Sequence, residues 1–234
     1  MKTVAVALLT LTMAASAHAA TITVIVPGNS DIWLAGMPDG STASVGPNHT
    51  FDVAGTDSPV LVPLLLEAGY TMTFLTTGGV SNTAVCCSTI EGEDPTTHYD
   101  GAQNGLSDVN APLNTLLGVF LDDTQPDLSV APASLDFGPG GLGLDFLSLS
   151  PSLKQVFFIG NGSTSGGDVQ HFIVPDGATR LFLGTMDGFG WYNNTGEFSV
   201  EVYHGEVTVP EPSTLLLLGS ALATLGLRRS RRQN

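Results

Sequence analysis

One stretch in the last quarter of the chain holds side chains that could bind a metal ion. Asp187 follows a predicted strand, and Asn193 and Asn194 come directly before the next one, with a loop rich in glycine and aromatic residues between them. Calcium takes about six to eight oxygen ligands, and one Asp, two Asn and loop carbonyls could supply most of them. Asp-Gly and Asn-Thr-Gly are also ordinary turn sequences, and from composition alone two turns are the simpler interpretation.

The same loop carries two adjacent aromatic residues, Trp191 and Tyr192. Either ring could stack on the apolar face of a sugar, whereas in a hairpin loop one of two adjacent residues usually points into the core.

The only cysteines, Cys86 and Cys87, are also adjacent. They could close a vicinal disulfide, remain free or pair with another chain, and alone they are too few to hold a metal.

The motifs of common enzyme classes are missing from the sequence. It contains no Gly-x-Ser-x-Gly, no His-Glu-x-x-His and no phosphate-binding glycine loop. The acidic pairs Asp122-Asp123 and Glu93-Asp94 could serve a glycosidase, but such pairs are common in acidic loops. We therefore expect a binding or structural protein and not an enzyme.

The distribution of charge excludes one class of partner. The segment from Ala20 to Pro210 carries 21 of the 22 acidic residues and only two basic ones, Lys154 and Arg180. Nucleic-acid binding depends on Lys and Arg that displace counterions from phosphates, so no nucleic-acid partner is expected. An acidic surface suits calcium, although it also keeps exported proteins soluble.

The first residues have the pattern of a secretory signal. Lys2 supplies a positive start, an apolar run covers residues 4–15, and small residues surround His18. This order predicts a signal peptide over residues 1–19, which is removed on export. A core helix or a membrane anchor is the alternative, but the apolar run is short and ends at a small-x-small site.

The last residues form a second address signal. Pro210, Glu211 and Pro212 precede an apolar run over residues 215–227, and four arginines follow it, beginning with Arg228 and Arg229. The pattern over residues 209–234 resembles the PEP-CTERM sorting signal, whose family members are substrates of the membrane enzyme exosortase in bacteria that make exopolysaccharide.

The physical properties of this tail agree with the resemblance. Residues 213–227 would span about 22 Å as a helix, which is short for a hydrocarbon core of roughly 30 Å. The arginines place their end of the helix in the cytoplasm by the positive-inside rule. We expect an inner-membrane anchor with the domain outside, followed by processing and delivery to the cell surface, the matrix or the medium. A permanent tail anchor is the alternative.

Between the two signals, residues 20–208 are predicted to form one all-β domain. The segment is rich in Gly, Pro, Thr, Ser and Val and shows no helical periodicity. We expect long loops over residues 78–114 and 125–151, and a Pro63 interruption of one strand. Short strands joined by turns predict a jelly-roll-like β-sandwich. The predicted strands cover residues 21–26, 60–66, 70–77, 116–121, 154–159, 169–174, 180–184 and 197–202.

The segment that begins at Asp187 is similar to the bacterial calcium-dependent galactose-binding lectins, a jelly-roll family in which bound calcium contacts two sugar hydroxyls. The resemblance makes Asp187, Asn193 and Asn194 calcium ligands, and puts a further calcium contact, a backbone carbonyl, near Ser81 or Asn82.

A second stretch, Gly105-Leu106 with the strand over residues 116–119, resembles the other site loop of that family. Asn104 then falls at a sugar-binding amide. Gly101 occupies the position of the family's sugar-binding histidine, and His98 lies three residues earlier.

Together these features predict an exported, exosortase-sorted protein that binds carbohydrate or exopolysaccharide through calcium. The alternative is a purely structural protein of the surface or biofilm matrix that lacks a working sugar site. The two differ in whether Asp187, Asn193 and Asn194 converge. The expected calcium ligands are those three residues, and the expected sugar contacts are Asn104, His98, Asp187, Asn193 and Trp191.

Overall fold

The computed structural model describes residues 20–46, 49–83, 87, 88, 90, 92 and 94–205. The predicted signal peptide and sorting segment lie outside these residues. Regular structure in the described part is almost entirely β, with single 3-10 turns at Ile32–Leu34, Pro126–Leu128 and Trp191–Asn193. None of the helical segments in this part is long and apolar enough to cross a membrane. The strands are β1 (Ala20–Pro27), β2 (Thr42–Ala43), β3 (Asp52–Val53), β4 (Val60–Leu61), β5 (Thr71–Ser81), β6 (Pro95–Thr97), β7 (Val109–Pro112), β8 (Leu116–Leu121), β9 (Leu135–Asp136), β10 (Ser148–Leu149), β11 (Val156–Phe158), β12 (His171–Ile173), β13 (Arg180–Thr185) and β14 (Thr195–Gly205).

Two larger sheets contain the long strands. The first has the order β1-β14-β5-β12-β10 and the second the order β11-β8-β13-β4. Their pairs are antiparallel, except that β10 runs parallel to β12. Two smaller sheets, β2-β3 and β6-β7-β9, lie in the connections.

The core lies between the two larger sheets. Along β14, Phe198, Val200 and Val202 are buried while the residues between them are more exposed, which is the period of two expected of a strand with one face inward. Across the interior, the ring of Phe157 in β11 lies 5.5 Å from that of Phe172 in β12. Side chains from both sheets therefore form one apolar core.

The second sheet is covered on both faces. All six residues of β8 are buried, as the continuous apolar sequence of this strand predicted. On β13, Gly184 lies against the 3-10 turn, where a Cβ would stand 3.1 Å from the Cβ of Ile32 and 2.7 Å from the carbonyl oxygen of Ser30. Glycine at this position allows the buried turn to pack directly on the sheet.

The all-β prediction is confirmed, and residues 116–121 coincide with β8. The prediction of one long loop over residues 78–114 was wrong. That segment contains the end of β5 and all of β6 and β7. The strand β5 continues through Gly78 because the backbone of β14 lies very close to it, and a Cβ at Gly78 would stand 2.5 Å from the carbonyl oxygen of Glu197.

The other long loop, predicted over residues 125–151, also contains short regular elements, β9 and β10. The strand expected over residues 60–66 is much shorter. It ends at Leu61, two residues before Pro63, in keeping with the expected interruption.

Candidate functional site

Three strand ends meet where the predicted ligands lie. Thr195, the first residue of β14, pairs with Ser81, the last residue of β5. Asn194 and Asn82 are therefore the next residues beyond this pair, one before β14 and the other after β5. The third strand, β13, ends at Thr185, two residues before Asp187.

A pocket of about 140 Å³ lies at this end of the sandwich. Asp187 and Asn193 both line it, as does Asn82. Asn194 is adjacent, because its side chain is hydrogen-bonded to the carboxylate of Asp187. The structure thus brings Asp187, Asn193 and Asn194 together. The lining residues are Asn82, Thr96, Tyr99, Leu113, Asp187, Gly188, Phe189 and Asn193.

The carboxylate of Asp187 is buried, with only 5% of the residue exposed. Burial raises its pKa, and hydrogen bonds from the Asn194 side chain, the Gly188 and Phe189 backbone and the Asn82 side chain oppose that rise. The Gly188 N–H donates to Oδ1 at 2.6 Å. These donors hold the carboxylate in a fixed orientation beside the pocket.

No cationic side chain compensates this carboxylate within the described residues. The two Lys and Arg residues there, Lys154 and Arg180, donate instead to the backbone of residues 122–130. A buried carboxylate without a basic partner is costly, and coordination of a metal ion is one of the arrangements that offsets the cost.

Asn194 contributes an unsatisfied acceptor. Its Oδ1 atom is buried and has no hydrogen-bond partner in the part of the chain that the structure describes. Most buried polar atoms in folded proteins are paired, so an orphan of this kind calls for a ligand or a water. Groups of three or more His, Cys, Asp and Glu suited to a metal are absent from the described residues. A cation here would depend on one carboxylate and on amide and carbonyl oxygens, a set that suits calcium.

The loop that carries the two asparagines is fixed by Asp52 of β3. Its carboxylate accepts the N–H groups of Trp191 at 2.9 Å and Tyr192 at 2.7 Å, at the start of the 3-10 turn Trp191–Asn193. Burial raises the pKa of Asp52 to about 7, against the effect of these two hydrogen bonds. Asp52 is thus a positioning residue for the adjacent Asn193 and Asn194, which the sequence did not indicate.

Asn114 fixes the chain just beyond the end of β5, at Asn82. It has a positive φ of 62° and is buried. Its Oδ1 accepts the N–H of Asn82 at 2.7 Å, and its own N–H donates to the carbonyl of Met186 at 2.8 Å. One residue therefore joins Asn82 to the segment that ends in Asp187.

The structure does not support the predicted sugar contact by His98. The residue is 2% exposed, and its ring stacks on Trp33 at a centroid distance of 3.9 Å. Its ring nitrogens lie 2.9 Å from the Gly101 carbonyl and 3.1 Å from the Ser44 hydroxyl. Burial lowers its pKa. Both nitrogens are therefore engaged inside the protein.

The roles predicted for Trp191 and Asn104 are corrected for similar reasons. Trp191 is fully buried, and its Nε1 donates to the Thr185 carbonyl at 2.9 Å. The Asn104 amide donates to the carbonyls of Trp33 at 3.0 Å and Thr42 at 3.3 Å, and Asn104 does not line the pocket. Both side chains therefore form hydrogen bonds to backbone carbonyls within the domain.

Tyr99 is the exposed aromatic residue of the pocket, and it was not among the residues predicted from the sequence. The residue is 69% exposed, and its ring lies 4.9 Å from that of Phe189. Its only signal in the sequence is an aromatic residue in a polar stretch, next to His98.

Of the alternatives for the cysteines, a free thiol is excluded for Cys87, because this residue is disulfide-bonded. Cys86 lies outside the described residues.

Comparison with known proteins identifies the C-terminal signal. The model of the PEP-CTERM protein-sorting motif matches residues 208–232. No curated protein and no solved structure matches the chain. The protein therefore belongs to the class of exported all-β proteins. More particularly, it is one that carries the exosortase sorting signal, as the sequence predicted.

Proposed function

We propose that the exported domain is a calcium-dependent carbohydrate-binding protein whose metal ligands are Asp187, Asn193 and Asn194. One observation carries the proposal. The buried carboxylate of Asp187 has no basic partner among the described residues, and it lies beside an orphaned buried amide oxygen at the wall of an open pocket.

The chemistry of these groups fits a hard cation. Asp187 supplies charge, and the amides of Asn193, Asn194 and Asn82 supply neutral oxygens of the kind that calcium accepts. A bound calcium would add positive charge, and its open coordination positions could accept two neighbouring sugar hydroxyls. Galactose offers a cis pair at carbons three and four, which glucose does not.

The sheet topology supports a jelly-roll sandwich. Counted along the chain, the eight strands β1, β4, β5, β8, β11, β12, β13 and β14 form four pairs. The first pairs with the eighth, the second with the seventh, the third with the sixth and the fourth with the fifth. This is the pairing of one long double hairpin rolled into two sheets, and it is the topology of the lectin family that the sequence resembles.

A binding role fits the pocket better than catalysis. Among the described residues that line it, Asp187 is the one carboxylic acid, whereas most glycosidases use two carboxyl groups. We further propose that the mature protein works at the cell surface or in the extracellular matrix. Its ligand there is galactose-type sugar, including residues of exopolysaccharide.

Isothermal titration with galactose tests this function on the full chain in mild detergent. We expect binding in calcium that is lost in EGTA and weakened at least tenfold in Asn193→Ala and Asn194→Ala. Asn110→Ala is the matched control, because this amide donates to Asp136 on another part of the molecule. Absence of calcium-dependent binding to galactose or to a glycan array would favour the structural-protein alternative. Binding that persists in EGTA would indicate a different site.

A further inference from the structure

The pocket has an aromatic side whose function the proposed metal site leaves open. Tyr99 lies at this side and is largely exposed, whereas Trp33 and Trp191 are fully buried. Single exposed aromatic residues are ordinary on protein surfaces. Tyr99 differs because it is held in place and because it lines the same pocket as Asp187.

Three contacts hold the ring of Tyr99. Its N–H donates to the carbonyl of Gly188 at 3.0 Å. Its ring packs against Phe189, with the ring planes tilted by 32°. The ring also lies over Gly188, where a Cβ would stand 3.4 Å from it, an ordinary van der Waals distance. The ring therefore presents a preorganised apolar face next to the carboxylate.

The two sides of the pocket differ in chemistry. Asn82, Asp187 and Asn193 supply polar groups, while Tyr99 and Phe189 supply aromatic surface. A pyranose has the complementary character, because hydroxyls line its edge and C–H groups form an apolar patch on one face of the ring. Aromatic rings stack on such faces in the offset geometry that also favours aromatic pairs.

We propose that Tyr99 is a second contact of this site, one that stacks on the C–H face of the sugar whose hydroxyls face Asp187 and Asn193. This inference rests on the proposed carbohydrate function and specifies its ligand. The preferred ligand is a pyranose with an uninterrupted C–H patch on the face turned to the ring, as in galactose.

The size of the pocket limits how much of a glycan it can hold. Its volume of about 140 Å³ is less than half of the roughly 300 Å³ at which sites for drug-sized ligands begin. It therefore accommodates a single sugar ring. Further residues of a glycan would lie outside the pocket.

The test compares Tyr99→Ala, Tyr99→Phe and the parent for binding of methyl β-galactoside in calcium. We expect about a tenfold loss of affinity in Tyr99→Ala and less than a twofold change in Tyr99→Phe, since stacking needs the ring and not the hydroxyl. Tyr203→Ala is the control. Tyr203 lies eight residues along β14 from Thr195, about 26 Å away, on another part of the sheet.

The effect of calcium on the melting temperature is measured on every variant, and it separates the two proposals. If Tyr99→Ala keeps the calcium response and binds the sugar as tightly as the parent, the stacking inference is wrong while the metal site stands. If the parent binds no sugar, the proposed function and the inference fail together. Loss of affinity in Tyr99→Ala with an intact calcium response supports the inference.

Discussion

At the scale of single residues, the interior of the domain contains carboxyl groups in an unusual state. Asp31 is fully buried, and burial raises its pKa from 3.8 to about 8. Its neighbours Asp52 and Asp57 add to the rise by repulsion. In the folded protein this group keeps its proton through a pH range in which the unfolded chain releases it.

The sign of the resulting pH dependence follows directly. Between about pH 4 and pH 8 the folded state binds more protons than the unfolded state, so the free energy of unfolding falls as the pH rises. We expect the melting temperature to fall from pH 5 to pH 8, with a smaller slope in Asp31→Asn. The exposed Asp176→Asn is the control and should keep the parent's slope. An unchanged slope in Asp31→Asn would contradict the assignment.

Residue types alone offered Asp187, Asn193 and Asn194 as possible ligands but favoured two turns, and the resemblance led to the ligand prediction. These three residues were candidates because a carboxylate and two amides flank one loop between strands. The adjacent pair Trp191 and Tyr192 could not be resolved, since sequence does not say which ring faces inward. The structure buries Trp191 and leaves Tyr192 partly exposed. Tyr99 was missed because its partner Phe189 is distant in the chain.

At the scale of elements, Asp52 links the short strand β3 to the 3-10 turn Trp191–Asn193. Removal of its carboxylate in Asp52→Ala leaves the buried N–H of Trp191 and the part-buried N–H of Tyr192 without their acceptor. We expect a loss of about 1–3 kcal/mol in the free energy of unfolding, measured by urea denaturation. The calcium response should weaken as well, because Asn193 is the last residue of the turn and Asn194 directly follows it.

Asp122→Ala is the matched control for this change. Asp122 also accepts a backbone N–H, from Thr124 at 2.8 Å, but at an exposed position. The substitution Asp122→Ala should lower the free energy of unfolding by less than about 1 kcal/mol and leave the calcium response unchanged. Equal effects of the two substitutions would remove Asp52 from its positioning role.

Hydrophobic patterning predicted some elements well and others poorly. It located β8 because six consecutive buried residues give an unbroken apolar run. The strand predicted for β5 ended too early, at residue 77, because Gly78 and Gly79 are typical of a turn. In the structure, the backbone pairing with β14 continues through both glycines. The contacts of Asn114 with Asn82 and Met186 depend on sheet register, which a single sequence does not specify.

At the scale of the whole molecule, the sorting motif indicates an exported protein, and the described residues between the two predicted signals form an all-β fold. The motif was predictable because its three parts are contiguous in sequence. The pocket was harder to predict, since it combines the ends of β5 and β13, the start of β14 and residues near β6. Its proposed ligand chemistry follows from that convergence.

Thermal unfolding of the full chain in mild detergent shows whether Asp187 helps to hold calcium in the folded protein. An ion that binds only the folded state adds about 2.7 kcal/mol at a hundredfold excess over Kd. We predict a higher melting temperature in calcium than in EGTA for the parent, and no difference for Asp187→Asn. Identical melting curves of the parent in calcium and in EGTA would contradict the account.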